Sequence, residues 1–354
     1  GAQPFQNIDC RFMIRILFVS FLLVVFSFAV SAQEQCDTPK AGEGISTFLE
    51  RNGRPGRSYY KEFLELNKKA LRGKEELRLG VKYQLPPLHA KGSRRGEDSR
   101  HRKSGSRKSV IHEPLFGKRL ADVKVTGNRL QGACFYVVSG HGGPDPGAIG
   151  RIGKTELHED EYAYDVALRL ARNLMQEGAE VRIIIQDAKD GIRNDRYLSN
   201  SKRETCMGDP IPLNQVARLQ QRCAKINEYY RKDRKKYKYC RAIFLHVDSR
   251  SKSAQTDVFF YYAPQSTLGK RLATGMKNTF ESKYDRHQPN RGFEGTVSSR
   301  RLYVLLNASP TAVFVELGNI QNAFDQRRFV LSSNRQALAK WMMEGFIADY
   351  KRSK

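Results

Sequence analysis

The stretch VVSGHGGPDPGAIG, residues 137 to 150, sets a histidine directly after a short apolar run and surrounds it with glycines. Tyr136, Val137 and Val138 read as the end of a buried strand. Gly140, Gly142, Gly143 and Gly147 read as a loop whose backbone takes unusual dihedrals or is closely approached by another group. Pro144 and Pro146 rule out a helix through it. His141 is therefore expected at the carboxyl end of a strand, in a rigid open loop, and that is where ligands bind in open α/β sheets. A histidine in a surface turn would give the same local pattern, so the rest of the chain has to decide.

From about residue 116 onward the pattern alternates. Apolar runs at 134–139, 180–186, 241–247, 257–263 and 311–317 read as strands, and amphipathic runs at 159–178, 214–233, 267–284 and 334–352 read as helices. Fully apolar strands between helices argue an α/β fold: a twisted, mostly parallel sheet with helices on both faces. Three of these strands end on residues able to bind metal or move protons: YVVSGH on His141, RAIFLH on His246 and TAVFVE on Glu316. A fourth candidate is a carboxylate among Glu156, Glu159, Asp160 and Glu161 at the start of the 159–178 helix, although acidic residues there also simply complement the helix dipole. Two histidines and a carboxylate suit catalytic zinc, with the fourth position left for water. A further glutamate beside that water can serve as general base.

Five segments, in order across about 130 to 350, together resemble the zinc-dependent N-acetylmuramoyl-L-alanine amidases of the cell-separation type. VVSGHGGPDPGAIG resembles their D-x-G-H-G-G-x-D-x-G-A opening, and EDEYAYDVALRLARNLMQEGAEV their E-K-x-x-N-L-x-I-A run. LQQRCAKIN, IFLHVDS and AVFVELGNIQN are similar to L-x-x-R-x-x-x-A-N, F-x-S-I-H-A-N and A-V-L-V-E-x-G-F-x-S-N. The resemblance implies that His141 and His246 are the zinc histidines. It implies Glu159 as the carboxylate ligand, with Glu161 as runner-up, and Glu316 as the catalytic glutamate. It further implies hydrolysis of the amide between N-acetylmuramic acid and L-alanine, with peptidoglycan as substrate and an activator protein as a candidate partner. This chain departs from the family's pattern at Ser139, at Ile185-Gln186 and at Asn319. Residues 191 to 214 form an insertion, and the short segment after His246 leaves no room for the regulatory helix that plugs the zinc in some relatives.

The remaining segments bear on location and binding. Residues 13–32 read as a secretory signal peptide, with Arg15, an apolar run from Ile16 to Val30 and a small-residue cleavage site after Ala32. Residues 1–12 precede the plausible start. Export to the periplasm or cell envelope is expected, with no stable membrane span after cleavage. Residues 41–87 resemble a LysM glycan-binding module, a small α+β unit with apolar positions at helical spacing followed by a strand through Leu77, Leu79, Val81 and Tyr83. Residues 88–115, rich in glycine, serine and cations, are expected to be a disordered linker, which leaves 116–354 as the catalytic domain. The net charge of +25 suggests a polyanionic partner, but no nucleic-acid-binding motif accompanies it, and a solvated basic surface explains much of it. The exported chain retains five cysteines, Cys36, Cys134, Cys206, Cys223 and Cys240, without a CxxC, so no cysteine zinc site is indicated and free buried thiols are at least as expected as a Cys206 bridge to Cys223 or Cys240. The competing reading is a non-catalytic peptidoglycan-binding protein on an amidase fold.

Overall fold

The computed structural model describes residues 35–40, 43–54, 57–72, 77–88 and 110–354. The expected signal peptide at 13–32, the residues before it and most of the expected linker lie outside these. The chain divides into two units, within residues 1–100 and within 101–354.

In the amino-terminal unit, β1 (Cys36–Asp37) is followed by α1 (Ile45–Arg51), α2 (Arg57–Leu66) and α3 (Lys68–Leu71), and then by β2 (Tyr83–Gln84), which pairs antiparallel with β1. Phe48, Phe63 and Tyr83 form its core, with ring centroids 5.7 to 6.2 Å apart. The Asn67 amide donates to the Phe63 and Gln84 carbonyls and its oxygen accepts from the Gln84 N–H, which pins the α2–α3 junction to β2. The expected strand from Leu77 shortens to two residues. Gly80 takes a φ of +77° and Leu79 is 65% exposed, so the chain turns where strict alternation suggested extension. The unit also reaches back to Cys36, before the expected boundary at 41.

The larger unit begins inside the expected linker. The strand β3 (Val110–His112) pairs antiparallel with β4 (Asp122–Lys124), and a 3-10 turn at Pro114–Phe116 lies between them. Next come β5 (Ala133–Ser139), the hairpin of β6 (Ile149–Ile152) and β7 (Thr155–His158), and α4 (Glu159–Gln176). The expected strand at 180–186 splits into β8 (Glu180–Ile183) and β9 (Ile185–Gln186). The second piece leaves the main sheet to pair with β10 (Thr205–Cys206), which pairs in turn with β11 (Asp209–Pro210). Thus the 191–214 insertion supplies a small sheet of its own. The chain continues through α5 (Gln215–Asp233), β12 (Tyr239–Asp248), β13 (Phe259–Tyr262), α6 (Thr267–His287), β14 (Val297–Ser299), α7 (Tyr303–Asn307), β15 (Thr311–Asn319), α8 (Gln326–Val330) and α9 (Ser332–Ser353).

The central sheet has six strands in the order β14-β13-β15-β12-β5-β8, parallel except between β13 and β15. Successive side chains alternate between its faces. Phe135, Val137, Ile243, Leu245, Val313 and Val315 pack with Leu168 of α4, Phe280 of α6 and Phe346 of α9. Tyr136, Val138, Ala242, Phe244 and Phe314 pack on the other face with Ile226 of α5 and Leu305 of α7. Both faces are covered, so the central strands are apolar through most of their length. The buried cysteines Cys134, Cys206, Cys223 and Cys240 are free thiols, as is the exposed Cys36.

One polar group is central to this packing. Asp165 of α4 is fully buried and accepts from Arg169 Nε at 2.7 Å and from Arg335 Nε of α9 at 2.6 Å. Arg335 also donates to the carbonyls of Phe329, Arg193 and Asp195, which ties α9 to the segment after β9. Removing one member of a buried charged network leaves the others unpaired. We expect Arg335→Met to lower the unfolding free energy by about 3 kcal/mol, measured by denaturant titration. A loss under about 1 kcal/mol would mean that Arg169 and the Arg193 N–H satisfy Asp165 without Arg335.

Candidate metal centre

The register of the parallel strands brings the predicted site residues to one edge of the sheet. Leu245 of β12 lies opposite Ser139 of β5, and His246 lies opposite Glu316 of β15. His141 follows β5 by two residues, and Glu159 is the first residue of α4. His141, Glu159 and His246 each offer a ligand atom within 4.8 Å of the others. Glu159 Oε1 is 3.2 Å from His141 Nε2 and 3.0 Å from His246 Nδ1. The runner-up, Glu161, does not join them. Its carboxylate accepts from the Ser201 N–H and, at 2.8 Å, from Arg193, because two residues along a helix point to different sides.

The glycines of the opening stretch now have a cause. A Cβ on Gly140 would lie 2.4 to 2.7 Å from the His246 ring. A Cβ on Gly147 would lie 2.6 Å from Glu159 Oε2 and 2.7 Å from the His141 ring. The loop folds tightly around the three ligands and leaves no room for side chains. His141 itself takes the left-handed conformation, with φ at +58°, and its carbonyl accepts from the buried Arg222 of α5. Its Nδ1 faces Asp145 Oδ2 at 2.8 Å, and Arg218 donates to the same oxygen at 2.7 Å. A carboxylate on Nδ1 fixes the tautomer and leaves Nε2 for a metal.

The charges follow from these contacts. Burial opposes ionisation of Glu159, but hydrogen bonds from His141 and His246 outweigh it and hold the carboxyl well below the usual range. Burial disfavours the charged form of His141, yet Asp145 and Glu159 push the ring up to about 9. The hydrogen bond from His141 lowers Asp145 to about 2. His246, half-buried and stacked on Phe314 at 4.4 Å, is pulled down by desolvation. An anionic carboxylate between two imidazoles is a donor set that fits a divalent transition metal, which would displace the proton now shared across the group. Glu316 stands apart from the trio. Burial, then the charges of Glu159 and Asp248, raise its carboxyl well above the ordinary value, and its Oε2 is buried without a partner.

Asp145, Arg218 and Arg222 were not singled out from the sequence. Asp145 matches the second aspartate of the resembling opening motif, but it lies within a loop, where no periodicity predicts contact with His141. Asn319, noted as a departure from the family's pattern, has a role of its own. It is fully buried, donates to the Ser251 and Ala254 carbonyls at 2.9 and 2.7 Å, and accepts from the Arg250 and Gln321 N–H groups. It therefore shapes the loop that follows His246. A second acidic group lies close by: Asp160, Glu161 and Glu204 offer oxygens within 4.8 Å of one another. Burial and the charges of Glu161 and Glu204 push Asp160 up to about 8.

If Asp145 orients His141, then Asp145→Asn weakens divalent-metal binding by about ten- to hundredfold, read by competition with a chromogenic chelator. Unchanged affinity would mean that the loop backbone and Arg222 hold the ring unaided.

The chain matches no curated protein. Among solved structures it is similar to the N-acetylmuramoyl-L-alanine amidase AmiC2 of Nostoc punctiforme, with 20% identity and a TM-score of 0.43 over 64% of this chain and 99% of that one. It is similar to the N-acetylmuramoyl-L-alanine amidase of Clostridium difficile 630, with 19% identity and a TM-score of 0.45 over 64% and 99%. It is also similar to Ami1 of Mycobacterium smegmatis, with 16% identity and a TM-score of 0.46 over 62% and 97%. A model of one protein family matches residues 136–348, a span that takes in His141, Glu159, His246 and Glu316, and by that match the chain belongs to the N-acetylmuramoyl-L-alanine amidase family.

Proposed function

We propose that the protein is an exported, zinc-dependent amidase that cleaves the bond between the lactyl group of N-acetylmuramic acid and L-alanine in peptidoglycan. The observation that carries this reading is the meeting of His141, Glu159 and His246 at the sheet edge, with the desolvated, unpartnered Glu316 in register beside His246. Zinc held by those three side chains would polarise the amide carbonyl and make water a stronger nucleophile. The protein's own groups do the rest. Asp145, itself held by Arg218, accepts from His141 Nδ1 and keeps Nε2 directed at the metal position. The N–H groups of Val247 and Ala148 hold Glu159 ionised, at 2.9 and 2.8 Å. Glu316 accepts a proton from the attacking water as the C–O bond forms. It then delivers that proton to the alanine nitrogen as the C–N bond breaks, and a raised pKa suits both transfers.

Residues 13–32 supply the export signal in this reading. Residues 41–87 supply a LysM-like module that holds the enzyme on glycan, and the action is in the periplasm or cell envelope. Among the described residues no helix is long and apolar enough to cross a membrane.

Three tests follow from these assignments. Chelation abolishes release of stem peptides from purified sacculi and added zinc restores it; full activity in a metal-free sample contradicts the reading. Glu316→Gln stays folded and keeps its zinc while the rate falls on the order of a hundredfold or more. A variant that cleaves at the parent rate removes Glu316 as the base, and a parent protein that binds sacculi without cleaving them returns the non-catalytic reading. For the amino-terminal unit, deletion of residues 35–88 should weaken sedimentation with sacculi in moderate salt, because a shaped groove resists screening and exposed charge does not. Equal binding with and without the unit would remove the glycan-binding assignment.

A further inference from the structure

We propose that Asp160, Glu161 and Glu204 form a second cation site, for a hard divalent ion such as calcium, that fastens the inserted segment before α5 to the start of α4. The three carboxylates are buried, at 3%, 2% and 6% exposure, and each offers an oxygen within 4.8 Å of the others. Arg193, bonded to Glu161 at 2.8 Å, is the one cation ion-paired with any of them among the described residues. Three buried carboxylates facing one guanidinium leave negative charge that water cannot screen.

The hydrogen bonds show what is left over. Glu161 is satisfied by Arg193 and the Ser201 N–H. Glu204 Oε2 accepts from the Gly143 N–H at 2.8 Å, and Asp160 Oδ1 accepts from the Glu161 N–H at 2.9 Å. Asp160 Oδ2 is buried and has no partner. An orphaned carboxylate oxygen in a group of carboxylates is where a cation would gain most. The donors are all oxygen, with no imidazole or thiolate, which selects a hard ion. Calcium binds oxygen at about 2.3–2.6 Å, and oxygens within 4.8 Å of one another can meet on one such ion.

The location gives the ion a consequence. Asp160 and Glu161 lie in the first turn of α4, immediately after Glu159. Glu204 belongs to the insertion and is bonded to Gly143 in the His141 loop. An ion here would bind the insertion, the His141 loop and the helix start together. Asp160 stands where the resembling motif carries lysine.

The test uses the full chain loaded with zinc and calcium chloride as the probe, and its readouts do not depend on amidase activity. We expect equilibrium dialysis to find one calcium per chain beside the zinc. We also expect calcium to raise the melting temperature by several degrees and to slow proteolysis between residues 187 and 214. Asp160→Asn and Glu204→Gln should each abolish calcium retention while the zinc content stays the same. The proposal is overturned if the parent chain retains no calcium, or if both variants retain it as the parent does. Should either variant fail to fold, the parent's dialysis and proteolysis results decide. Calcium failure with zinc and cleavage intact refutes this site and leaves the amidase assignment standing.

Discussion

The carboxylate of Glu159 is the joint on which the site depends. It is buried at the amino terminus of α4 and accepts from backbone groups of two other segments, Ala148 in the loop after His141 and Val247 at the end of β12. Both histidines close on the same oxygen. Burying an anion costs several kcal/mol unless every lone pair is met. Here the helix terminus, two N–H groups and two imidazoles meet them. The demand propagates outward. The loop must approach closely enough to donate from Ala148, so Gly147 has no room for a side chain. β5 must end opposite Leu245 of β12, one residue before His246, so Gly140 passes against the His246 ring.

This dependence explains what was legible in the sequence. A parallel sheet in register brings strand ends together, so three strands that each close on a polar residue already imply a shared edge. The alternation of Phe135 and Val137 against Tyr136 and Val138 gave two covered faces, and both are present. Glu159 could be separated from Glu161 only by resemblance, because a helix start in sequence tolerates a slip of one or two positions. The structure separates them by partner: one meets histidines, the other meets Arg193. The losses occurred where a local pattern misleads. The run at 180–186 is uniformly apolar, yet the chain leaves the sheet after Ile183 to pair with the insertion. The alternation from Leu77 to Tyr83 looked like a strand, but Gly80 at positive φ breaks it. The expected linker was read from composition and overran into β3, a three-residue strand too short to register against its basic surroundings.

The charge was also read too simply. Part of the cationic excess is internal rather than solvated. Asp165 takes Arg169 and Arg335; Asp257 takes Arg291 and Arg328; Asp349 takes Arg241 and Arg271. In each group one buried carboxylate serves two guanidiniums. Arginine suits this because its planar fork can bond a carboxylate and several backbone carbonyls at once, as Arg335 does. Such groups bring positive charge into the fold's joints without needing a polyanion outside. These groups hold only a small share of the net charge of +25, and they show how α9 and the loops after β12 and β15 are held.

Within the candidate metal centre, Glu316 is the residue whose surroundings oppose its ionisation without repair. Asp165 and Asp349 are matched by arginines and Glu159 by histidines and backbone, whereas Asp160, like Glu316, keeps an unpartnered oxygen. Glu316 sits against the charges of Glu159 and Asp248 with an oxygen unpartnered. If its role were to support β15, an amide or an apolar side chain would serve better, since neither suffers from desolvation or from a neighbouring anion. An acid placed where its ionised form is penalised is one that holds its proton readily and gives it up only to a strong acceptor. A departing amine nitrogen is such an acceptor, and a metal cation held by the three ligands beside Glu316 would offset the anionic surroundings and let the ionised form return. The same location that weakens the resting structure thus gives Glu316 the means to change its charge within one turnover.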